Sequence, residues 1–541
     1  MSLKRFVVLA ILSGNVFALG TLKLSGPASL PLTASHTLHP SLGSFSIETA
    51  FFEAFVGNSS SPNRLTKDLL ENLRHRTGVP AEIRIGGITA DSTYWRGEQK
   101  EGLVNFIDSS GALRNTTIGP AFWDSVGLLH SDTKIIMNLN LRDLDYKSAF
   151  SVAEATLKGI PASQLDLLEI GNEPDHYLQF TPQNYSAIWG EWAKNMSKSL
   201  GLTAPRFQVA ATAEDPLWPY DRPGASSQLG CVSSLAAGAN RDGVVRSCSE
   251  HTYQYSVCDP PRIAVATLPN LVNHTRLAQF LDLWQPRIKS VREQLGPHSF
   301  VIGEYNSVSC SGRNNVSNTF GQALWLLDTT FYGASLNISR MYIHQGGPLA
   351  LQSSTQLNHG GLSFYDLWYP IQNTNGPVGV FPSYSAYLFI AETLGRSKSL
   401  RMANIYPGRQ ANGSTITTAL GDNSQGQLVA YGFWDNKAKT GQQYPAKLAL
   451  LNLQIYNQTQ IGKVERPEAT FDISGFLKDS EREVRVRRLT APGADIKDGT
   501  VTTWAGQNYG SGVADGKLVE ERVKGGKIKV KASEAVLVTV D

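Results

Sequence analysis

The sequence predicts an α/β chain in two parts, a (β/α)8 barrel followed by a C-terminal β-sandwich. Three observations carry that prediction. Eight short apolar or β-rich segments recur between residues 44 and 345, as parallel strands covered on both faces require. Segments with apolar residues at helical spacing fall between them, which implies a parallel sheet. After about residue 395 the texture changes to short alternating strands separated by turn signals, a β-sandwich pattern.

The strand candidates come in order. "SFSIE" (44–48) is the first, "AEIRIGG" (81–87) the second, "KIIMNLN" (134–140) the third and "LDLLEIGNE" (165–173) the fourth. "FQVAATA" (207–213), the more polar "RSCSEHTYQY" (246–255), "SFVIGEYN" (299–306) and "ISRMYIHQ" (338–345) complete the eight. Between them "RLTKDLLENLRHRTG" has leucines at helical spacing and a glycine stop. "FWDSVGLLHS", "KSAFSVAEATLKG", "YSAIWGEWAKNMSKSLG", "LAQFLDLWQPRIKSVREQLG" and "FGQALWLLDTTFYGASLN" behave alike, and "PSYSAYLFIAETLG" (382–395) closes the set. Eight βα units in about 350 residues fit a closed barrel. The competing open, doubly wound sheet shows a glycine-rich phosphate turn after its first strand, and "SIETAFFEAF" has none.

The expected boundaries are a signal peptide at 1–18, an N-terminal strand segment at 19–40, the barrel at 41–395 and the sandwich at 396–541. The strand "TLKLSG" near residue 21 precedes the barrel and is expected to pair with the second domain. Lys4 and Arg5, the apolar run that follows and the small-residue exit at Val16-Phe17-Ala18 fit a cleaved secretory leader. That run is too short to span a bilayer comfortably. The mature chain is therefore expected to be secreted and extracellular, with no membrane partner. Acceptor sequons at Asn58, Asn115, Asn184, Asn195, Asn273, Asn315, Asn337, Asn412 and Asn457 agree with export. Export also permits disulfides among Cys231, Cys248, Cys258 and Cys310, whose pairing spacing alone leaves open between three arrangements.

Hydrophobic content of 41% and charged content of 18% fit a globular chain with a large core. A net charge of +3 with mixed signs is no footprint of nucleic-acid binding. The late "VEERVKGGKIKVK" reads as a solvated strand face rather than a polyanion site. No CxxC and no His/Cys cluster with zinc spacing occurs, so no structural metal is expected; the two-carboxylate chemistry set out below would need no cofactor either. A P-loop and a GxSxG elbow are missing too, which removes support for nucleotide and serine hydrolases. The chain is expected to be a monomer or a weak oligomer.

The chemistry is expected at the strand ends, because barrel active sites lie on the C-terminal face. Glu173, in "GNEPD", ends the fourth strand, and Glu304, in "GEYNS", ends the seventh. Strands four and seven stand across a small barrel's mouth, so their carboxylates can flank one bond. Two carboxylates about 5 Å apart suit double-displacement glycoside hydrolysis. Asn172 could hold a substrate hydroxyl, and Pro174 fixes the backbone as the chain leaves the strand. Tyr253, with His251 two residues away on the same face of strand six, could hydrogen-bond Glu304 and keep it ionised. Arg84 could bear on the same carboxylate from strand two. Each has a plainer role open to it: a helix cap for Glu173, a structural ion pair for Arg84, a satisfied core histidine for His251.

The segments "EIGNEPD" and "GEYNS" resemble those of the large clan of retaining (β/α)8, or TIM-barrel, glycosidases. "SFSIETAFFEAFVGN", "PAEIRIGGITADSTYW" and "GEYNSVSCSG" look like glycoside hydrolase family 79, which contains β-glucuronidases, 4-O-methyl-glucuronidases and heparanases. The resemblance covers roughly residues 20 to 541. It implies Glu173 as acid/base, Glu304 as nucleophile, Asn172 and Glu48 as sugar-binding residues and Tyr253 as support for Glu304. It also implies recognition of a uronic carboxylate by backbone amides at Cys310, Ser311 and Gly312, with Tyr365 as a later loop tyrosine. Relatives often carry a tyrosine followed by glycines there; this chain has Ser309, Cys310 and Ser311. The implied function is a secreted retaining exo-β-glucuronidase that removes terminal β-linked glucuronic or 4-O-methyl-glucuronic acid from glycans. The alternatives are a same-clan β-glycosidase for a neutral sugar and a non-catalytic glycan-binding barrel.

Overall fold

In the computed structural model, residues 20–26, 28–177, 180–216, 228–347, 361–408, 426–435 and 444–540 are described. The expected leader at 1–18 and the sequon at Asn412 lie outside them. Eight parallel strands close into a barrel: β1 (Gly43–Glu48), β2 (Ile83–Gly86), β3 (Ile135–Leu139), β4 (Leu165–Ile170), β5 (Phe207–Thr212), β6 (Val245–Ser256), β7 (Phe300–Ser309) and β8 (Met341–Gln345). Closure is made by β8 against β1, with Met341 opposite Gly43 and Gln345 opposite Ile47. Outward residues such as Leu168 and Ile170 join the apolar core shared with the helices. Inward residues form layers. Ile136, Leu167, Val301 and Tyr342 make an apolar plug. The same face of β4 then places Glu169, two residues after Leu167, in a polar layer between the plug and the mouth.

The helices form where the apolar spacing predicts them, and their ends have local causes. Residues Arg64–Thr77 start on the side chain of Asn63, which accepts from the Thr66 amide, and stop at Gly78 in a left-handed conformation. The single helix expected from "LAQFLDLWQPRIKSVREQLG" is two, His274–Leu281 and Gln285–Leu295, because Pro286 sits in the first turn of the second. A three-stranded sheet of Thr93–Trp95, Leu103–Ile107 and Leu113–Ile118 is inserted after β2 and was not expected. Its strands are short and half-polar, which gives a weak signal in sequence.

The C-terminal part is a sandwich. A large sheet orders β9 (Leu400–Tyr406), β10 (Leu428–Asp435), β11 (Lys447–Asn452), β17 (Glu534–Thr539), β13 (Val484–Thr490) and β14 (Thr503–Trp504), with β15 (Glu521–Val523) also on β13. A small sheet holds β12 (Glu468–Asp472) between β16 (Lys527–Lys531) and the N-terminal strand Thr21–Lys23. The N-terminal strand thus joins the sandwich, parallel to β12. Phe471, Ile528 and Val530 of the small sheet pack against Leu448, Leu450, Val484 and Val538 of the large one. Barrel and sandwich are tied by buried polar contacts. Asp328, on the helix Phe320–Ser335, accepts from Tyr431 at 2.6 Å and lies 3.0 Å from His274.

Two disulfides resolve the pairing left open by spacing, Cys231–Cys248 and Cys258–Cys310. One sequon is corrected: Asn273 is only 3% exposed, and its side chain caps the helix His274–Leu281 by accepting from the Arg276 amide. A glycan at Asn273 would have to displace that packing. Asn58, Asn184, Asn195 and Asn315 are exposed, and Asn115, Asn337 and Asn457 are half-buried. Among the described residues no helix is long and apolar enough to cross a membrane.

Candidate active site

The backbone at the barrel mouth is bent to present side chains. After β4, Gly171 takes a φ of 89° and Glu173 a φ of 49°. The Glu173 amide donates to the Ala211 carbonyl at 2.8 Å, and Pro174 opens the short helix Pro174–Tyr177. Ala210, Ala211, Cys310 and Ser311 also have positive φ. Non-glycine residues held there are strained, and such strain gathers at functional sites. Asp91 braces the turn: its carboxylate accepts from the amides of Leu141 at 3.1 Å and Asn172 at 3.3 Å. Burial pushes the Asp91 carboxyl up to about 7, against those two amides.

Glu173 and Glu304 meet. A carboxylate oxygen of each, with a ring nitrogen of His251, lies within a group whose atoms are all within 4.8 Å of one another. Glu304 accepts from the Tyr253 hydroxyl at 2.7 Å and from Arg84 Nη1 at 2.9 Å. Arg84, wholly buried, also donates to Glu169 at 2.8 Å, Ser46 at 2.9 Å and the side-chain oxygen of Asn172 at 2.8 Å. This hub explains "RIGG". A Cβ at Gly86 would stand 2.9 Å from the Arg84 guanidinium carbon, and one at Gly87 within 2.7 Å of the Glu48 carboxylate. Glu48 accepts from the Thr89 amide at 3.0 Å and from the Thr89 hydroxyl. His344 stands between two acids, 3.4 Å from Glu48 and 3.6 Å from Glu304.

On Glu173 the neighbours are imidazoles. His251 Nδ1 is 3.0 Å from one oxygen, and His176 Nδ1 is 3.4 Å from the other. Burial acts to raise the Glu173 carboxyl, but the bonds to His176 and His251 outweigh it and leave it below its ordinary range. The bond to Glu173 in turn lifts His176 to about 9. Burial likewise acts to raise Glu304, and His344, His251 and Arg84 overcome both that and the repulsion of Glu173 to lower it. Tyr253 is pushed well above its usual value by burial and by the Glu304 charge, so it donates. Every carboxylate oxygen of this pair has a protein partner, and Arg84 already supplies the positive charge. The group therefore presents no open ligand set to a cation.

The pair opens into a cavity of about 540 Å³ lined by Glu48, Asn172, Glu173, His176, Tyr253, Glu304, His344 and Tyr365, with Glu214, Asp215, Arg262, Ser309 and Cys310 further round its wall. Asn172 keeps its buried side-chain N–H2 without a partner among the described residues. The Tyr365 ring centroid lies 6.2 Å from that of Tyr253 and 6.1 Å from that of His344. Two expected residues are placed differently. The Gly312 amide donates to the Val308 carbonyl at 3.1 Å, so it is committed to the backbone turn. Ser311 is 1% exposed, its hydroxyl donates to the Gly347 carbonyl at 3.0 Å and its carbonyl accepts from the Phe364 amide. The cavity wall at this loop is Ser309 and Cys310, because β7 continues to Ser309 before turning.

Sequence reasoning missed Glu169, Asp91, His176 and His344. Period-two alternation along "LDLLEI" would have placed Glu169 inside the barrel. His176 follows Glu173 by three residues, the spacing that meets on one helical turn. His344, in "MYIHQ" of β8, sits on the strand that closes against β1, which ends in Glu48. Asp91, in "ITADS", gives no signal in a single sequence.

Comparisons with known proteins bear on the whole chain. Residues 430–537 match the family model described as the glycosyl hydrolase family 79 C-terminal beta domain. A β-glucuronidase of Aspergillus niger is 29% identical over 527 residues, covering 91% of this chain and 87% of that protein. A β-glucuronidase of Neurospora crassa is 26% identical over 506 residues, covering 86% and 84%. Among solved structures, the 4-O-α-L-rhamnosyl-β-D-glucuronidase of Fusarium oxysporum 12S superposes with a TM-score of 0.74 at 22% identity, over 96% of this chain and all of that one. That likeness supports the barrel-plus-sandwich fold.

Proposed function

Because the chain belongs to glycoside hydrolase family 79, we propose that it is a secreted retaining exo-β-glucuronidase acting on terminal β-linked glucuronic or 4-O-methyl-glucuronic acid. The observation that carries the mechanism is the approach of Glu173 and Glu304 within 4.8 Å across one cavity. That separation suits retention; inversion needs a wider gap, on the order of 6.5–9.5 Å, to admit a water.

In the first step Glu304, held ionised by Arg84 and Tyr253, attacks the anomeric carbon. The glycosidic C–O bond breaks, and Glu173 gives a proton to the leaving oxygen. His176 stays protonated up to about pH 9, so the Glu173–His176 pair enters the neutral range holding one proton. Forming the glycosyl ester removes the Glu304 charge, and Glu173 is then the anion that takes a proton from water. The oxygen of that water bonds the anomeric carbon, the ester breaks, and Glu304 is restored. The free N–H2 of Asn172 and the carboxylate of Glu48 are suited to sugar hydroxyls. A cavity of this size fits a terminal sugar rather than a long polymer threaded through it. Secretion rests on the leader-like N-terminus, the sequons and the two disulfides.

A neutral-sugar reading is kept by one observation, the commitment of the Gly312 amide to Val308. The test is hydrolysis of aryl β-glucuronide, β-glucoside and β-xyloside by the purified protein and its Glu304→Ala variant. Glucuronide turnover that vanishes in the variant is the expected result. Turnover of a neutral sugar alone would keep the mechanism and replace the substrate, and no turnover of any glycoside would favour a glycan-binding barrel.

A further inference from the structure

We infer that Arg262 is the residue that reads the uronic carboxylate in this chain, clamped in place by the Cys258–Cys310 disulfide. The inference rests on the glucuronidase reading. A sugar carboxylate entering this cavity joins Glu48, Glu173 and Glu304, and an anion buried among acids needs a cation within reach. Among the described residues that line the cavity, Arg262 is the one lysine or arginine. Arg84 lies beneath them with its three nitrogens committed to Glu169, Glu304, Ser46 and Asn172. His344 is engaged between Glu48 and Glu304, and His176 is engaged on Glu173.

The position of Arg262 is built. It sits on the short helix Pro260–Ile263, just past β6. Its Nη2 donates to the carbonyl of Tyr253, the residue whose hydroxyl holds Glu304. Its Nε and Nη1 make no hydrogen bond to a described residue, and they stay available to a bidentate oxyanion partner. The disulfide joins Cys258, four residues before Arg262, to Cys310 in the turn after β7. A second staple runs the other way. Arg313, just past that turn, donates to the carbonyls of Ile263 at 2.7 Å and Ala266 at 2.9 Å. The arginine loop and the Ser309–Cys310 wall therefore move as one piece. Asp215 lines the same cavity, and its carboxyl is pushed up to about 6 by burial, with the Arg262 charge acting against that rise. The side-chain cation thus stands in for the Gly312 amide, which the turn consumes.

The test compares wild type, Arg262→Gln and Arg262→Lys on aryl β-glucuronide and aryl β-glucoside, with folding checked by circular dichroism. In the glutamine variant the glucuronide-to-glucoside ratio of kcat/KM is expected to fall roughly 10–100-fold, the worth of one charged hydrogen bond, mainly through a higher KM. The lysine variant is expected to keep more of the ratio. A ratio unchanged in Arg262→Gln, or equal losses on both sugars, overturns the inference and leaves Arg262 a brace for Tyr253. A wild type that does not prefer the glucuronide overturns the glucuronidase reading itself, which is a separate outcome.

Discussion

Two glutamates at opposite ends of the barrel are held by the same kinds of partner. At the floor, Glu82 pairs with Arg340 at 3.4 Å and accepts from Tyr342. At the mouth, Glu304 pairs with Arg84 at 2.9 Å and accepts from Tyr253 at 2.7 Å. Burial and the charge of the glutamate raise both tyrosines well above their ordinary range. One arginine and one tyrosine on a buried glutamate therefore do not make a catalytic site. The mouth adds a second carboxylate within 4.8 Å, imidazoles on that carboxylate and positive-φ backbone in the turns around them. The floor has an ion pair whose work is structural.

Substitution at the mouth should separate the two ends most sharply. Glu304→Ala is expected to cut kcat on an aryl β-glucuronide by on the order of 10⁴-fold or more, read by steady-state kinetics, with melting temperature near that of wild type. Glu173→Gln should cost about 10²–10⁴-fold, and less on substrates whose leaving group departs without a proton. If both variants kept full activity, the mouth would be as inert as the floor. Glu82→Gln reverses the pattern. It leaves Arg340 without its partner and should cost about 3 kcal/mol of stability, seen as a lower denaturant midpoint, while kcat changes less than about twofold.

The smallest effect is a pH shift. The folded Glu173 carboxyl lies below its ordinary 4.5, so its pairing contributes above that value and is lost as pH falls through the lowered one. His176 is raised from 6.5 to about 9, so its share is complete below 6.5 and is lost as pH rises through about 9. Removing the imidazole removes a cation from Glu173. It also removes the group that keeps the shared proton up to about 9, so His176→Ala should move the alkaline limb of kcat/KM, where the pair loses that proton, to lower pH. A limb that stays in place would separate His176 from the proton chemistry.

Legibility followed the physics of each feature. Parallel strands covered on both faces read as apolar runs, and all eight were visible in the sequence. Glu173 and Glu304 were visible because a charge at the end of such a run is costly to bury, and a fold keeps it there only with partners or a use. The polar layer around Arg84 was half visible: Arg84 stood out, but Glu169 hides inside a strand where an acid looks like an error. The surroundings of Ser311 and Gly312 were not legible because they depend on where β7 turns, and three more residues of strand put the Gly312 amide on the Val308 carbonyl. The disulfides were countable but not pairable, since pairing is a distance in space.

The N-terminal strand Thr21–Lys23 pairs with β12 at residues 470–472, and β12 in turn pairs with β16 at 527–531. That order matters for biogenesis. A chain leaves the ribosome from its N-terminus, so this strand emerges before the barrel and waits while the entire barrel is made before its partner exists. The small sheet is completed among the last contacts to form. A fragment that begins after the barrel would carry β12 with one edge bare, an invitation to pair with another copy. The β-sandwich is therefore a closing clasp on the finished barrel, not a module to be expressed alone.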